Sequence, residues 1–169
     1  MIYPLIDIGA NLTDHSFDHD RKAVIENAFD KGLETIIVTS SSVKDAKKSI
    51  SLAKKYPGKL WATAGIHPHN AELTEKSFER DLTELLGQNE VIALGECGLD
   101  YYRNFSSKRS QRAVFKKQLI LSAEVQLPLF LHQRDAHDDF LSMLKEHCNY
   151  PVKGVAHCFT GTKEQLKSY

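Results

Sequence analysis

Apolar stretches alternate with amphipathic ones along the whole chain. Six short apolar or β-branched runs predict strands, because runs of this length between helical segments are typical of parallel strands buried on both faces. The predicted strands are Pro4–Ile8, Thr35–Thr39, Leu60–Ile66, Val91–Leu94, Pro128–Leu131 and Val152–Ala156. Between them, apolar residues recur at helical spacing. The predicted helices are Ser16–Lys31, Val43–Lys55, Glu75–Leu86, Lys108–Val125 and Ala136–His147, and a last helix is predicted to start near Thr162.

The serial order of these elements predicts the fold class. Six βα units favour a parallel sheet with right-handed crossovers. Their spacing is typical of a (β/α)₈ barrel, which usually needs roughly 250 residues. We therefore expect an α/β fold of the TIM-barrel type, with about six of eight units in these 169 residues. An open sheet of six strands is the alternative. Because the chain ends at Tyr169 within a helical pattern, residues 1–169 are interpreted as a single domain that lacks the last barrel strands.

Charge and cysteine content narrow the possible partners. The 22 basic and 22 acidic residues balance, so the chain has no global attraction for nucleic acid or for an anionic membrane. Three cysteines without C-x-x-C spacing predict no disulfide framework and favour a reducing, cytoplasmic location. No apolar run approaches the roughly 20 residues that span a bilayer, so no membrane partner is expected.

Four of the predicted strands lead into a side chain that can bind a metal: His67, Glu96, His132 and His157. The carboxyl ends of parallel strands meet at one mouth of a sheet or barrel, so these side chains are expected to lie close together. Their nitrogen and oxygen ligands are typical of a divalent-metal hydrolase. Taken singly, each residue has an alternative role, since a glutamate can cap a helix and a histidine can pack in the core.

Neighbouring side chains suit a phosphate-bearing substrate. His69 follows His67 by two residues and could touch a phosphate, or both rings could belong to a surface turn. Arg134 could bind a phosphate oxygen or pair with Asp135. The stretch 103–117 is basic, carries no acidic residue and lies beside the aromatic residues Tyr101, Tyr102 and Phe105, which could stack a base. A solvated helix face is the alternative. The basic residues are Arg103, Lys108, Arg109, Arg112, Lys116 and Lys117.

Five stretches together resemble the TatD family of metal-dependent deoxyribonucleases, which is related to the amidohydrolase-type TIM barrels. They are Ile6–Thr13, Ala64–His69, Gly95–Asp100, Leu131–His137 and His157–Gly161. They follow the family's order across the whole chain, and the motifs around Glu96 and His157 are specific.

The resemblance implies hydrolysis of DNA phosphodiester bonds by a 3′–5′ exonuclease that uses Mg²⁺, with Mn²⁺ or Zn²⁺ as alternatives. It implies that Glu96, His132 and His157 are metal ligands and catalytic residues. His67, His69, Arg103 and Arg134 are then expected on the substrate side. The expected partner is DNA with single-stranded regions or 3′ ends, and the full-length enzyme is expected to be a monomer.

The sequence departs from the family pattern at two places. Many relatives carry an H-x-H pair on the first strand, where this chain has Gly9 and Asn11. The family also has an aspartate after the last barrel strand, a position that lies beyond Tyr169. Two alternatives therefore stay open: a metal-dependent hydrolase of an ester, lactone or amide, and an inactive fragment.

Overall fold

Six parallel strands form one sheet in the computed structural model, which describes residues 4–148 and 151–169. The strands are β1 Leu5–Ala10, β2 Leu33–Val38, β3 Leu60–Ala64, β4 Val91–Asp100, β5 Leu129–Arg134 and β6 Gly154–Ala156. Spatial order follows chain order from β1 to β6 without a reversal. A doubly wound sheet reverses its order at a switch point, whereas right-handed crossovers in unbroken order place all helices on one face. The sheet is therefore an α/β half-barrel of the TIM type, as predicted.

Helices follow the strands as the sequence indicated. They are α1 Arg21–Asp30, α2 Val43–Ala53, α3 Phe78–Leu86, α4 Lys108–Val125, α5 His137–His147 and α6 Lys163–Leu166, with 3₁₀ turns at His15–Phe17 and Pro68–Leu73. Short polar side chains begin several of them. Ser42 accepts the N–H of Asp45 at the start of α2, and Thr162 forms a capping box with Gln165 at the start of α6. No helix in the two described ranges is long and apolar enough to cross a membrane.

Four predicted boundaries are wrong, and for the two helices among them the local reason is visible. The first helix begins at Arg21 rather than Ser16, because the carboxylate of Asp14 accepts the N–H of Ser16 and holds a 3₁₀ turn there. The third begins at Phe78, because the hydroxyl of Thr74 bonds back to the 3₁₀ segment instead of capping α3. The fourth strand does not stop at Leu94 but continues to Asp100. The sixth is shorter than predicted and starts at Gly154.

The main core lies between β3–β5 and the helices α2–α5. Phe115 of α4 stacks on Phe140 of α5 with ring centroids 5.5 Å apart, and both are almost fully buried. Ile25 anchors a smaller cluster beneath α1 and β2. At the sheet edge, Leu5 and Ile6 of β1 are more than half exposed. The best-packed part of the molecule is thus the part beneath β3, β4 and β5.

Candidate metal centre

Glu96 lies within β4 rather than at its end. Opposite β5, Gly95 pairs with Phe130 and Cys97 with Leu131, so Glu96 is the extra residue of a β-bulge. Bulges change the direction of a side chain, and they are common beside functional sites. The N–H of Glu96 donates to the carbonyl of Ser40 at 3.0 Å, which ties the bulge to the segment that follows β2.

Gly98 allows β4 to continue beside β5. Its φ is 146°, and a Cβ atom at this position would overlap the carbonyl oxygen of His132. Only glycine tolerates both conditions. The close approach brings the backbone of His132 directly opposite Gly98 and places Asp100 opposite Arg134.

Three imidazoles surround one carboxylate oxygen of Glu96. Its Oε1 lies 2.6 Å from Nε2 of His157, 3.0 Å from Nδ1 of His132 and 3.4 Å from Nε2 of His67. A carboxylate has about four lone-pair sites on its two oxygens, so three groups on one oxygen exceed what that oxygen can accept. The structure therefore brings together all four metal-capable residues that the sequence placed after its strands.

The electrostatics of Glu96 favour the ionised form. Burial disfavours its charge, but hydrogen bonds from His132, His157 and His67 outweigh this effect and hold the pKa of Glu96 well below its usual range. Burial also lowers the pKa of His67. An ionised carboxylate thus faces imidazoles in a site where Glu96 is only 12% exposed.

Asp100 is the functional residue that the sequence prediction missed. Its Oδ2 lies 2.8 Å from Nε2 of His69 and 3.2 Å from Nε2 of His132, and its Oδ1 accepts the N–H groups of Tyr102 and Arg103. Burial opposes ionisation of Asp100, but the N–H of Arg103 and the two imidazoles hold its pKa at about 2. The spacing of residues 96, 98 and 100 places them on the same face of a strand, and this spacing is a sequence signal for Asp100. The signal is hidden when β4 is predicted to end at Leu94.

Two buried glutamines of α4 fix the backbone beside the site. Gln118 accepts the N–H of Ile66 at 2.7 Å and donates to its carbonyl at 3.1 Å. Gln111 makes the same pair of bonds with the N–H and carbonyl of Asp100, both at 2.8 Å. Each glutamine is 1% exposed. The loop that carries His67 and the end of β4 are therefore both held by one helix.

The donor set fits a divalent cation. The ligand atoms of His67, Glu96 and His132 all lie within 4.8 Å of one another. His157 touches the same oxygen of Glu96, but its ring centroid is 6.0 Å from that of His132, against 4.5 Å for His67. In the structure the trio that contains His67 is the more compact one, and the trio with His157 in its place shares Glu96 and His132 with it. Imidazole nitrogens with a carboxylate are ligands for Zn²⁺ and Mn²⁺, and the carboxylate suits Mg²⁺.

The first strand contributes no ligand at the positions of the H-x-H pair. The side-chain oxygen of Asn11 accepts the hydroxyl of Thr39 at 2.7 Å. A Cβ atom at Gly9 would come within 3.3 Å of the ring of Phe130, which itself stacks on His157 at a centroid distance of 4.6 Å. Phe130 therefore fills space beside the cluster that a longer side chain at position 9 would need.

The predicted substrate-side residues are placed differently from one another. His69 stands against His67, with ring centroids 4.2 Å apart. The guanidinium of Arg134 lies 4.1 Å from the ring centroid of Tyr102 and does not form the alternative ion pair with Asp135. The backbone of Arg103 binds Asp100, while its side chain is exposed.

The basic stretch is used partly for helix packing. Arg112 pairs with Asp139 of α5 at 2.6 Å, and Lys117 pairs with Glu79 of α3 at 2.6 Å. Lys108 lies 4.2 Å from the ring centroid of Tyr101. For these three residues, a helix face that binds no ligand describes the contacts better than a nucleic-acid surface does.

Comparison with known proteins agrees with this architecture. Residues 6–169 match the family described as TatD related DNase. The chain is 43% identical over 164 residues to the protein named 3′-5′ ssDNA/RNA exonuclease TatD from Pantoea sp. and 39% identical to the protein of the same name from Escherichia coli K12. Each alignment covers 97% of this chain and 63% of the relative, so the chain spans less than two thirds of their length.

A solved structure shows the same fold. The crystal structure of a TatD family hydrolase from Entamoeba histolytica superposes with a TM-score of 0.89 at 36% identity, covering 99% of this chain and 62% of that one. The half-barrel, the histidine and carboxylate cluster at its mouth and the match over residues 6–169 all lead to one assignment. This chain belongs to the family of TatD-related DNases.

Proposed function

We propose that this chain is part of a divalent-metal-dependent phosphodiesterase that degrades DNA as a 3′–5′ exonuclease. The observation that carries the proposal is the convergence of three imidazole nitrogens on Oε1 of Glu96. The relatives named 3′-5′ ssDNA/RNA exonuclease support the substrate class and the direction of degradation.

In this proposal Glu96, His132 and His157 are the metal ligands. The N–H of His69 donates to Nδ1 of His67 at 3.1 Å, so the neutral ring of His67 carries its proton on Nε2, which faces Glu96. A protonated nitrogen has no lone pair for a metal. For His132 we propose the opposite pattern when a cation is bound: Asp100 would accept from Nε2, and the lone pair of Nδ1 would face the cation beside Glu96. Metal-binding histidines commonly have such a carboxylate on their other nitrogen.

His67 then acts on the substrate side. With substrate bound, its Nε2–H would donate to a phosphoryl oxygen instead of Oε1 of Glu96, which lies 3.4 Å away. Its ring is held by the Nδ1 contact and by the N–H bond to the carbonyl of Ser41. Asp100 accepts from His69, which places that ring beside His67 in a fixed orientation. Arg134 at the end of β5 and Arg103 in the loop after β4 supply positive charge for the phosphates that flank the cleaved bond.

A bound divalent cation would supply Lewis-acid polarisation of a phosphoryl oxygen and activation of water. The residues of the chain would hold the cation and orient its ligands. Glu96 supplies the negative charge, Asp100 sets the tautomer of His132, and Phe130 packs on one face of His157. We propose Mg²⁺ as the physiological ion, following the family. The imidazole-rich set also accommodates Mn²⁺ or Zn²⁺.

We also propose that residues 1–169 belong to one TatD-like hydrolase domain of a cytoplasmic enzyme that is monomeric at full length. The odd number of cysteines and the lack of C-x-x-C spacing support the proposal of a reducing compartment.

Cleavage of a 5′-labelled single-stranded oligonucleotide with Mg²⁺ tests the proposed activity. Glu96→Gln keeps the shape of the side chain and removes its charge, and we expect its rate to fall at least about 100-fold. Glu79→Gln is the matched control, because Glu79 pairs with Lys117 on the surface. Unchanged cleavage by Glu96→Gln would refute the proposal. Faster turnover of p-nitrophenyl acetate than of DNA by the unmodified protein would favour the alternative of an ester hydrolase.

A further inference from the structure

The loop between β4 and α4 exposes two aromatic rings beside the candidate metal centre. Tyr102 is 57% exposed and Phe105 is 66% exposed. Tyr101 is different, because its hydroxyl donates to Asp139 at 2.6 Å and Lys108 lies over its ring. Of these three aromatic residues, two are therefore free to meet a ligand and one is engaged in helix packing.

Phe105 is coupled to the site through His69. The two rings meet edge to face with centroids 4.8 Å apart. Nε2 of His69 in turn lies 2.8 Å from Asp100, and its ring contacts His67. The ring of His69 thus links Phe105 to His67, the histidine that faces Glu96.

Tyr102 flanks the same site on the side of β5. Its N–H donates to Oδ1 of Asp100 at 3.0 Å, and the guanidinium of Arg134 stacks on its ring at 4.1 Å. Arg134 forms no ion pair with a carboxylate of residues 4–148 or 151–169. Its charge is therefore not neutralised by a neighbouring side chain.

The loop that carries the rings is fixed. Ser106 is 2% exposed, donates to the carbonyl of His69 at 2.9 Å and accepts the N–H of Glu72 at 3.1 Å. Its own carbonyl accepts from the buried Gln111 at 2.9 Å. Phe105 is thus presented on a fixed backbone while it stays 66% exposed, beside the exposed Tyr102, so both rings are available to a ligand.

We propose that Phe105 and Tyr102 are stacking platforms for unpaired nucleobases of the nucleic-acid strand, with Arg134 binding a phosphate between them. This inference rests on the proposed phosphodiesterase function and specifies how that site recognises its substrate. Aromatic rings stack on any base, so the platforms select single strands over duplexes without reading sequence. A paired base has both faces covered by its neighbours and cannot engage them.

An abasic substrate separates stacking from phosphate binding. We compare an oligothymidylate with the same oligomer whose 3′-terminal nucleotides lack bases, and take the ratio of KM for the abasic strand to KM for the thymidine strand. The expected ratio is about tenfold for the unmodified protein and falls toward one in Phe105→Ala, because stacking contributes about tenfold per base. Phe105→Trp restores the ratio and Phe105→Leu does not. Leu73→Ala, which removes another exposed apolar side chain, keeps it.

Fluorescence anisotropy with the same two strands gives the ratio of Kd values and does not depend on cleavage. A protein that cleaves neither strand but binds the thymidine strand about tenfold more tightly would refute the proposed activity and support the platforms. If the ratio of KM or of Kd between the two strands is the same in Phe105→Ala as in the unmodified protein, the proposal of stacking platforms is refuted. Lowered thermal stability of Phe105→Ala with an unchanged ratio would show that the ring serves packing only.

Discussion

Nε2 of His132 lies 3.2 Å from Oδ2 of Asp100, while Nδ1 of the same ring lies 3.0 Å from Oε1 of Glu96. The two carboxylates thus hold one imidazole from both sides. In the proposed metal-bound form, Asp100 accepts the hydrogen bond of Nε2–H, so that Nδ1, which faces Glu96, would keep the lone pair that a metal requires. Asp100 is also bonded to His69, so one buried side chain orients two members of the site.

This relationship predicts the effect of Asp100→Asn. The amide cannot accept from both imidazoles as a charged oxygen does, so His132 loses its fixed tautomer. We expect Mn²⁺ affinity, measured by calorimetric titration, to fall about 10- to 100-fold. Asp81→Asn, at the first turn of α3, serves as the control and should bind Mn²⁺ normally. Wild-type affinity in Asp100→Asn would show that the contact does not position the ring.

Gln118→Leu should destabilise the whole fold. The substitution leaves the buried N–H and carbonyl of Ile66 without their partners. An unsatisfied buried polar group costs about 1–3 kcal/mol, so we expect the free energy of unfolding in urea to fall by about 2 kcal/mol or more. Lys116→Ala, on the exposed face of α4, should change it little. A drop of equal size in both variants would argue against a specific role for the glutamine.

The close approach of β4 and β5 makes Gly98 irreplaceable. Alanine at this position would combine a φ of 146° with a Cβ that overlaps the carbonyl of His132. We expect Gly98→Ala to lower the melting temperature strongly, since such backbone strain costs about 1–3 kcal/mol. Gly87→Ala is the matched control, because its φ is −80° and its nearest neighbour is 3.6 Å from the added Cβ. Similar melting temperatures for the two variants would contradict the geometry.

Tyr101 should titrate late. Burial, and then its hydrogen bond to Asp139, raise its pKa to about 12. Because the folded-state pKa lies above the unfolded value, its contribution to stability is complete below pH ~10 and is lost as the pH rises toward 12. The absorbance at 295 nm of wild type minus that of Tyr101→Phe should rise near pH 12. A difference curve with its midpoint near pH 10 would rule out a buried, hydrogen-bonded hydroxyl.

The fold was largely predictable because its strands are apolar and its helices amphipathic. Each run that predicted a strand overlaps an observed one, and the parallel order follows from the alternation alone. The extension of β4 was not predictable. Glycine weakens strands in general, and the need for Gly95 and Gly98 arises from the close approach of β5, which local sequence does not reveal.

The candidate site divides in the same way. His67, Glu96, His132 and His157 could be chosen because each follows an apolar run. Asp100 was missed, because its place on the same face as Glu96 becomes visible only when β4 is known to extend to Asp100. Gln111 and Gln118 read as polar positions of a charged helix, and only tertiary packing shows that both are buried against strand ends.

Titration of Mn²⁺ into His157→Ala and His67→Ala tests the proposed ligand set most directly. Both rings face Oε1 of Glu96, and the two variants remove one imidazole each. We expect His157→Ala to weaken Mn²⁺ binding at least about tenfold, and His67→Ala to leave it within a few-fold of wild type. The reverse order of affinities, with His67→Ala the weaker binder, would contradict the assignment of Glu96, His132 and His157 as the metal ligands.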